Sequence, residues 1–137
     1  TSIIPVLLVD PIREELIKSK ATFIYNLNLM TKAGQTSGYT GLDFIKDLEH
    51  YLGRSPDFVI ANSGTIPRSI IDWYADHDEI PVRNNISENG YKGKIVEDDV
   101  ISRAHIAKST SDELTRSILR HDTEKLASRL VQIIHSI

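Results

Sequence analysis

The feature that most constrains the fold is an apolar run followed by a polar, glycine-containing loop and then by a helix pattern. Residues 21–29 are almost continuously apolar or β-branched, which is typical of a strand buried on both faces of a parallel sheet. Glycines at 34 and 38 lie in the loop within residues 26–40, and an amphipathic helix pattern begins near Thr40. We therefore predict a central strand, a loop and a helix in succession.

The following residues complete a β-α-β unit. Thr40 and Asp43 have the spacing of a capping box, and Gly53 is placed to end the helix. A second apolar strand follows at residues 58–61. Residues 22–62 are therefore predicted to form one unit with parallel strands and a right-handed crossover.

Two strand-to-helix loops are predicted to meet at one edge of this sheet. The first runs from Thr31 to Tyr39, and the second runs from Asn62 to Pro67, with Thr65 as the predicted cap of the next helix. Ligands of open α/β sheets bind outside the carboxyl ends of the strands, where backbone N–H groups can hold an anion. We expect both loops to line one crevice that accepts a phosphate or another anion.

Further elements flank this unit. Residues 2–9 indicate a short buried segment or helix, and Pro11 begins a second helix with apolar Ile12, Leu16 and Ile17. Short β-like pieces are predicted at 94–96 and 104–107. Asp122 is the predicted cap of a last amphipathic helix, whose apolar stripe is Leu126, Leu130, Ile133, Ile134 and Ile137. The patterns predict one α/β domain over residues 1–137 with a mostly parallel sheet.

Composition limits the classes of function. The net charge of −3 comes from 16 basic and 19 acidic residues along the whole chain, without the basic stripe typical of nucleic-acid binding. The chain has no cysteine, which excludes disulfides and thiolate metal sites. No apolar run approaches the roughly 20 residues that cross a bilayer. We expect a soluble protein with neither a nucleic-acid nor a membrane partner.

Patterns for catalysis and metal binding are weak. The histidines at 50, 77, 105 and 135 lack metal-ligand spacing, so no metal is predicted. The acidic residues 97–99 would point to alternate faces of a strand and are interpreted as a solvated charge run. Ser63, His121 and Asp122 could compose a hydrolytic triad, but Ser63 lacks the glycine spacing of a nucleophile elbow. No catalytic residue is predicted.

The sequence leaves two interpretations open for each of two side chains, Arg120 and Tyr74. Arg120 lies just before a helix start, where a cation gains nothing from the helix dipole. It belongs either to a solvated turn or to a phosphate site served by its forked donors. Tyr74 follows Ile70 and Ile71 at helical spacing and is either a core residue or a ligand contact.

Five motifs occur in order: residues 1–9, 28–31, 34–39, 62–64 and 120–122, the last being Arg-His-Asp. Together they resemble the carboxyl-terminal part of the gluconeogenesis-factor family, the bacterial branch of the 2-phospho-L-lactate transferase-like superfamily. The resemblance covers essentially the whole chain and implies a Rossmann-like, three-layer α/β/α fold in a cytoplasmic protein. The glycine-rich first loop of the family is missing, so a partial domain, a fragment of a longer parent, is predicted.

The resemblance also implies a function. Family members bind UDP-sugars and are regarded as regulatory proteins tied to gluconeogenic growth, cell-wall precursor supply and cell shape. A nucleotide sugar is therefore the expected partner, catalysis is not expected, and a homodimer stays open. The alternative is a transferase that uses a nucleotide-activated donor and magnesium. Gln35 and Ser37 stand where the family loop usually has carboxylates, which argues against a metal or catalytic role for that loop.

The predicted ligand-binding residues come from the two loops and from the resemblance. The resemblance connects Tyr74 and Arg120 with the nucleotide sugar, through ring stacking or a ribose hydrogen bond and through bidentate donation to a diphosphate. Neutral hydrogen bonds are expected from the two loops. The full set is Thr31, Gly34, Thr36, Gly38, Tyr39, Asn62, Gly64, Tyr74 and Arg120.

Overall fold

A computed structural model describes residues 3–103 and 118–137. The three described strands form a parallel sheet in the order β1-β2-β3, which confirms the α/β class and the parallel β-α-β unit. The elements in chain order are α1 (Ile4–Leu7), α2 (Asp10–Lys18), β1 (Ile24–Asn26), α3 (Gly41–Leu52), β2 (Phe58–Asn62), α4 (Arg68–Ala75), a 3-10 turn (Ile86–Asn89), β3 (Lys94–Asp98) and α5 (Thr123–His135).

Helices cover both faces of the sheet, which gives the predicted three layers. Val59 and Ala61 of β2 pack with Phe44 and Ile45 of α3 on one face. Alternate residues of a strand point to opposite faces, so Phe58 and Ile60 pack on the other face with Ile133 and its neighbours in α5. Four of the five residues of β2 are buried. This strand is therefore the centre of the described sheet.

The first crossover helix begins and ends as predicted. The Asp43 carboxylate accepts hydrogen bonds from the Thr40 N–H at 2.8 Å and from the Thr40 hydroxyl at 2.7 Å. These hydrogen bonds lower the pKa of Asp43. Gly53 ends the helix with a φ of 73°, a left-handed conformation that glycine adopts without strain.

The prediction of a central strand at residues 21–29 was wrong. Strand β1 has only three residues and forms one edge of the described sheet. The chain leaves the sheet after Leu27 and pairs with another segment, since the Thr31 N–H donates to the Ile80 carbonyl at 2.8 Å and the Val82 N–H donates to the Leu29 carbonyl at 3.0 Å. The apolar run is therefore shared between a short strand and a second backbone pairing.

Thr65 is not the cap of α4. Pro67 occupies the N-cap position, and the Ile70 N–H donates to its carbonyl at 3.0 Å. A residue that precedes proline is disfavoured in the helical region, so Ile66 does not begin the helix. The helix starts after the proline, at Arg68.

The helices nearest the two chain ends have exposed apolar side chains. The segment predicted at 2–9 as a short buried segment or helix contains α1, and Leu7 is its only buried side chain among the described residues. Ile12, Leu16 and Ile17 of α2 are exposed. In α5, Ile133 is buried and Ile134 is exposed, and Ile137, which follows the helix, is exposed as well. The strand predicted at 94–96 is confirmed within β3, whereas the piece predicted at 104–107 lies outside the described residues.

Candidate functional site: a neutral cleft at the carboxyl edge of the sheet

The glycine-containing loop after β1 forms most of its hydrogen bonds within the loop. The Thr36 hydroxyl accepts the Lys32 N–H at 2.8 Å, and the Lys32 carbonyl accepts the N–H groups of Gln35 and Thr36 at 3.0 and 2.8 Å. The Gly34 N–H donates to the Ser37 hydroxyl at 3.2 Å. Most of the N–H groups that could have held an anion are thus already used, which argues against a phosphate cradle in this loop.

The predicted binding residues of this loop have structural roles. Thr31 and Thr36 are buried, and the Thr31 hydroxyl accepts the Ile80 N–H at 2.9 Å. Gly34 and Gly38 have φ values of 72° and 75°, a conformation for which glycine is suited. Tyr39 packs edge-on against Phe44 with ring centroids 5.3 Å apart. The loop also contacts the amino-terminal helices, since Gln35 and Thr36 line a small cavity beside Ile3 and Ile4.

The loop after β2 is organised by Asn62. The Asn62 amide donates to the Gly64 carbonyl at 2.8 Å, and its oxygen accepts the N–H groups of Gly64 at 3.1 Å and Val100 at 3.2 Å. The Ser63 N–H donates to the Asp98 carbonyl at 2.9 Å. Asn62 therefore joins this turn to the end of β3, through both the nitrogen and the oxygen of its side-chain amide.

Gly64 is required by a close approach. A Cβ atom at this position would lie 2.2 Å from Oδ1 of Asp99. Asp99 is held in place because its Oδ2 accepts hydrogen bonds from Lys125 at 3.1 Å and Arg103 at 2.9 Å. The hydrogen bond with Lys125 lowers the pKa of Asp99. A glycine in the turn thus makes room for an ion-paired carboxylate behind it.

The prediction of a solvated charge run at residues 97–99 was wrong for two of its three members. Asp98 and Asp99 are half-buried, and Asp98 pairs with Arg129 of α5. The pKa of Asp98 is lowered, first by its hydrogen bond with Arg129. The sequence signal for this arrangement was the presence of Lys125 and Arg129 four residues apart, on one face of α5.

A cleft of about 300 Å³ opens beside the second loop, at the carboxyl ends of β1 and β2. One wall is formed by residues 27–29 and the other by residues 62–66. The apolar part of the lining consists of Leu27, Leu29, Ile66, Ile71, Pro81 and Val82. The position agrees with the rule for open α/β sheets. Contrary to the prediction of one crevice shared by both loops, the wall facing residues 62–66 is formed by residues 27–29, which precede the glycine-containing loop.

The polar part of the cleft is uncharged. It consists of Asn28, Asn62, Ser63, Thr65 and Asn84, together with the backbone at Gly64. Among the described residues that line this cleft, none has an ionisable acidic or basic side chain. Asn28 belongs to the motif at 28–31 but was not predicted as a binding residue, and Asn84 was not singled out in the sequence, because their partners in the cleft are distant along the chain.

Tyr74 is a core residue. It is 1% exposed and packs with Met30, Ile101 and Leu119. Its hydroxyl accepts the Leu119 N–H at 3.1 Å. The buried ring is not placed to stack on a base, and its contact with Leu119 positions the backbone next to Arg120.

Arg120 is exposed. Its carbonyl accepts the Ser102 N–H at 2.8 Å. The next residue, His121, is followed by Asp122, whose N–H donates to the Val100 carbonyl at 2.8 Å, and the Val100 N–H donates to Asn62. Burial lowers the pKa of His121. The structure therefore brings the Arg-His-Asp turn to the same edge of the sheet as Asn62 and Gly64.

Two global features bear on the possible chemistry. Within residues 3–103 and 118–137, no group of three or more His, Cys, Asp or Glu side chains is arranged to hold a metal ion. None of the helices in the same ranges has the length and apolar character needed to span a bilayer.

The fold is that of an α/β protein with a cleft at the carboxyl edge of a parallel sheet. A family model described as 2-phospho-L-lactate transferase CofD matches residues 1–101. The chain belongs to this family, and the resemblance to its gluconeogenesis-factor branch is confirmed.

Individual relatives agree with this assignment. The chain is 35% identical to a gluconeogenesis factor of Bacillus subtilis over 136 residues, covering 98% of the chain and 39% of the relative. It is 29% identical to a gluconeogenesis factor of Listeria innocua, covering 98% of the chain and 38% of the relative. The chain thus spans about two fifths of the length of these relatives.

A solved structure shows the same fold. A member of the UPF0052 family from Bacillus halodurans superimposes with a TM-score of 0.78 at 23% identity, over 94% of this chain and 38% of that one. The similarity confirms the Rossmann-like α/β architecture.

Proposed function

We propose that the chain supplies part of a nucleotide-sugar site, with a UDP-sugar as the ligand, in a regulatory protein linked to gluconeogenic growth, cell-wall precursor supply and cell shape. The link to gluconeogenesis is supported by the names of the relatives. The observation that carries the proposal is the neutral cleft at the carboxyl edge of the sheet, together with an exposed arginine, Arg120, in a turn that hydrogen bonds through Val100 join to Asn62. A cytoplasmic location belongs to the same proposal.

The two parts of a nucleotide sugar make different demands on a protein. Its base and sugar are uncharged rings, which fit a cleft of apolar side chains and amides. Its diphosphate needs a cation, and Arg120 offers forked donors that match phosphate oxygens. The turn that contains Arg120 is joined to the cleft lining, since the Val100 carbonyl accepts the Asp122 N–H and the Val100 N–H donates to Asn62.

The test is calorimetric titration of UDP-glucose into the intact protein. We expect saturable binding that Arg120→Ala weakens about tenfold or more, because a hydrogen bond to a charged group contributes roughly 1.5–3 kcal/mol. Arg13→Ala is the matched control, since Arg13 lies on α2 and pairs with Asp10. A flat titration with the unmodified protein would contradict the proposal.

A transferase that uses a nucleotide-activated donor and magnesium is the second candidate. It is favoured by the name of the matching family model. The sequence argues against it, because Gln35 and Ser37 replace the usual carboxylates of the loop. Magnesium-dependent formation of product by the intact protein would establish the transferase, and UDP-sugar binding without turnover would favour the regulatory role.

A further inference from the structure

We infer that the cleft binds the uncharged ring portion of its ligand, the base or the sugar, and that Tyr25 positions Asn28 to donate hydrogen bonds to that ring. The identity of the whole ligand as a nucleotide sugar rests on the proposed function. The preference for a neutral ring follows from the lining of the cleft and from the hydrogen bond between these two side chains.

The uncharged lining of the cleft disfavours an anionic ligand group. The cleft lining contains no ionisable side chain among the described residues. Two N–H groups of the turn are already used, since Ser63 donates to the Asp98 carbonyl and Gly64 donates to the Asn62 side chain. An anionic diphosphate in this cleft would lose its hydration without gaining a charged partner, which is strongly unfavourable. The diphosphate must therefore lie outside, near exposed cations.

The apolar walls and the volume of the cleft suit a single ring. Apolar side chains on both sides of the cleft, among them Leu29 and Ile66, offer contact to the faces of a ring. A volume of about 300 Å³ lies at the lower end of the range of small-molecule pockets, which suits one ring better than a whole nucleotide sugar. The cleft is thus dimensioned for a part of the ligand.

The side-chain amide of Asn28 is held by Tyr25. The Tyr25 hydroxyl donates a hydrogen bond to Oδ1 of Asn28 at 2.9 Å. Burial raises the pKa of Tyr25 well above its ordinary value, so the hydroxyl keeps its proton and stays a donor. In this arrangement the amide oxygen faces Tyr25, and Nδ2 is the end of the Asn28 amide that remains for other partners.

The consequence is a defined donor in the cleft. No acceptor for Nδ2 of Asn28 is found among the described residues, and Asn28 lines the cleft. The two N–H groups on Nδ2 are therefore left for acceptors of the ligand. Carbonyl oxygens of a pyrimidine base or of an N-acetyl group are neutral acceptors of this kind.

The experiment uses the intact isotope-labelled protein and three separate probes: uridine, N-acetylglucosamine and inorganic pyrophosphate. We expect at least one neutral probe to shift the NMR resonances of residues 27–29 and 63–66, including the side-chain amide of Asn28. Pyrophosphate should leave these resonances unchanged. The inference is overturned if pyrophosphate shifts them, or if neither neutral probe does.

Variants test the role of the tyrosine. Tyr25→Phe removes only the hydroxyl and should weaken the neutral probe about fivefold, while Asn28→Asp replaces the donors by acceptors and should weaken it more than tenfold. Tyr51→Phe on α3 is the matched control and should leave affinity unchanged. In Tyr25→Phe, the two side-chain amide protons of Asn28 should also lose their distinct, fixed shifts. Unchanged affinity in both Tyr25→Phe and Asn28→Asp would overturn the positioning role.

The same measurements separate this inference from the proposed function. If uridine binds in the cleft but UDP-glucose binds no more tightly than uridine, the proposed nucleotide-sugar function fails and the neutral-ring inference stands. If UDP-glucose binds in an Arg120-dependent way while neither neutral probe reaches the cleft, the inference fails and the proposed function stands.

Discussion

The loops after β1 and β2 begin at the same edge of the sheet but are held by different contacts. Residues 31–40 bond mainly to one another, as in the hydrogen bonds of Lys32 with Thr36. Residues 62–66 depend on distant parts of the chain, since Asn62 bonds to Val100 and Gly64 lies against Asp99. The first loop is locally stabilised, and the second is part of the tertiary structure.

This difference has a functional consequence. The first loop contains the more conspicuous sequence motif, but it uses its N–H groups internally and lies beside α1. The second loop has the plainer sequence, yet it forms one wall of the cleft. A loop that lines a site needs a fixed position relative to other strands, and long-range hydrogen bonds provide it. Changes that remove these long-range contacts, at Asn62 or Gly64, should therefore affect both stability and the cleft.

The largest effect is expected from Asn62→Ala. The change removes the hydrogen bonds of the side chain with the Gly64 N–H, the Gly64 carbonyl and the Val100 N–H. We expect the free energy of unfolding to fall by about 2–4 kcal/mol, because partly buried backbone groups lose their partners. Chemical denaturation measures this loss. Ser63→Ala, an exposed change in the same turn, should stay within about 0.5 kcal/mol, and an equal effect of both variants would contradict the long-range role.

Local patterns in the sequence predicted one part of this fold well. Thr40, Asp43 and Gly53 bound α3 as predicted, because caps act within a few residues of the chain. The parallel unit around β2 followed from two apolar runs and one helix. Asp122 likewise caps α5 through hydrogen bonds from Glu124 and Lys125.

Contacts between distant segments were not predictable from the same patterns. An apolar run such as residues 21–29 has the same composition whether a neighbouring strand or residues 80–82 cover it, so the edge position of β1 was missed. The cleft depends on such contacts between distant segments, since Asn28 and Asn84 line the same cleft only in the folded chain. The placement of Asp99 behind Gly64 needed knowledge of where α5 packs.

A smaller effect is expected from Thr36→Val in the first loop. Valine keeps the shape of threonine but removes the hydroxyl that accepts the Lys32 N–H at 2.8 Å. With Thr36 4% exposed, the loss should be about 1–2 kcal/mol. Thr65→Val, at an exposed position of the second loop, should change stability by less than about 0.5 kcal/mol.

Hydrogen exchange tests whether the effect of Thr36→Val is local. Protection should fall within residues 31–40 and stay unchanged at Ser63 and Gly64, because the two loops share no hydrogen bond among the described contacts. Loss of protection in both loops would show that they form one cooperative unit and that the first loop is not stabilised locally.

The smallest effect concerns pH, because the two sides of the molecule should lose stability in different pH ranges. Burial lowers the pKa of His121 below its ordinary value of 6.5, so the unfolded chain binds the proton more readily than the folded chain. The stabilisation is complete above pH 6.5 and is lost as the pH falls below 6.5 towards the lowered pKa. The pKa of Asp43 is lowered from 3.8 by its hydrogen bonds with Thr40, so the cap of α3 weakens only as the pH falls below 3.8.

Acidification from pH 7.5 should therefore disturb the cleft side before the first loop. We expect hydrogen exchange at Leu27 and residues 62–64 to accelerate below pH 6.5, after correction for the intrinsic pH dependence of exchange, while residues 31–40 keep their protection until below pH 4. His121→Gln should remove the first of these two steps and leave the second. His135→Gln, at an exposed histidine in the last turn of α5, is the matched control. Simultaneous loosening of both loops in the unmodified protein would mean that His121 does not act on the cleft side separately.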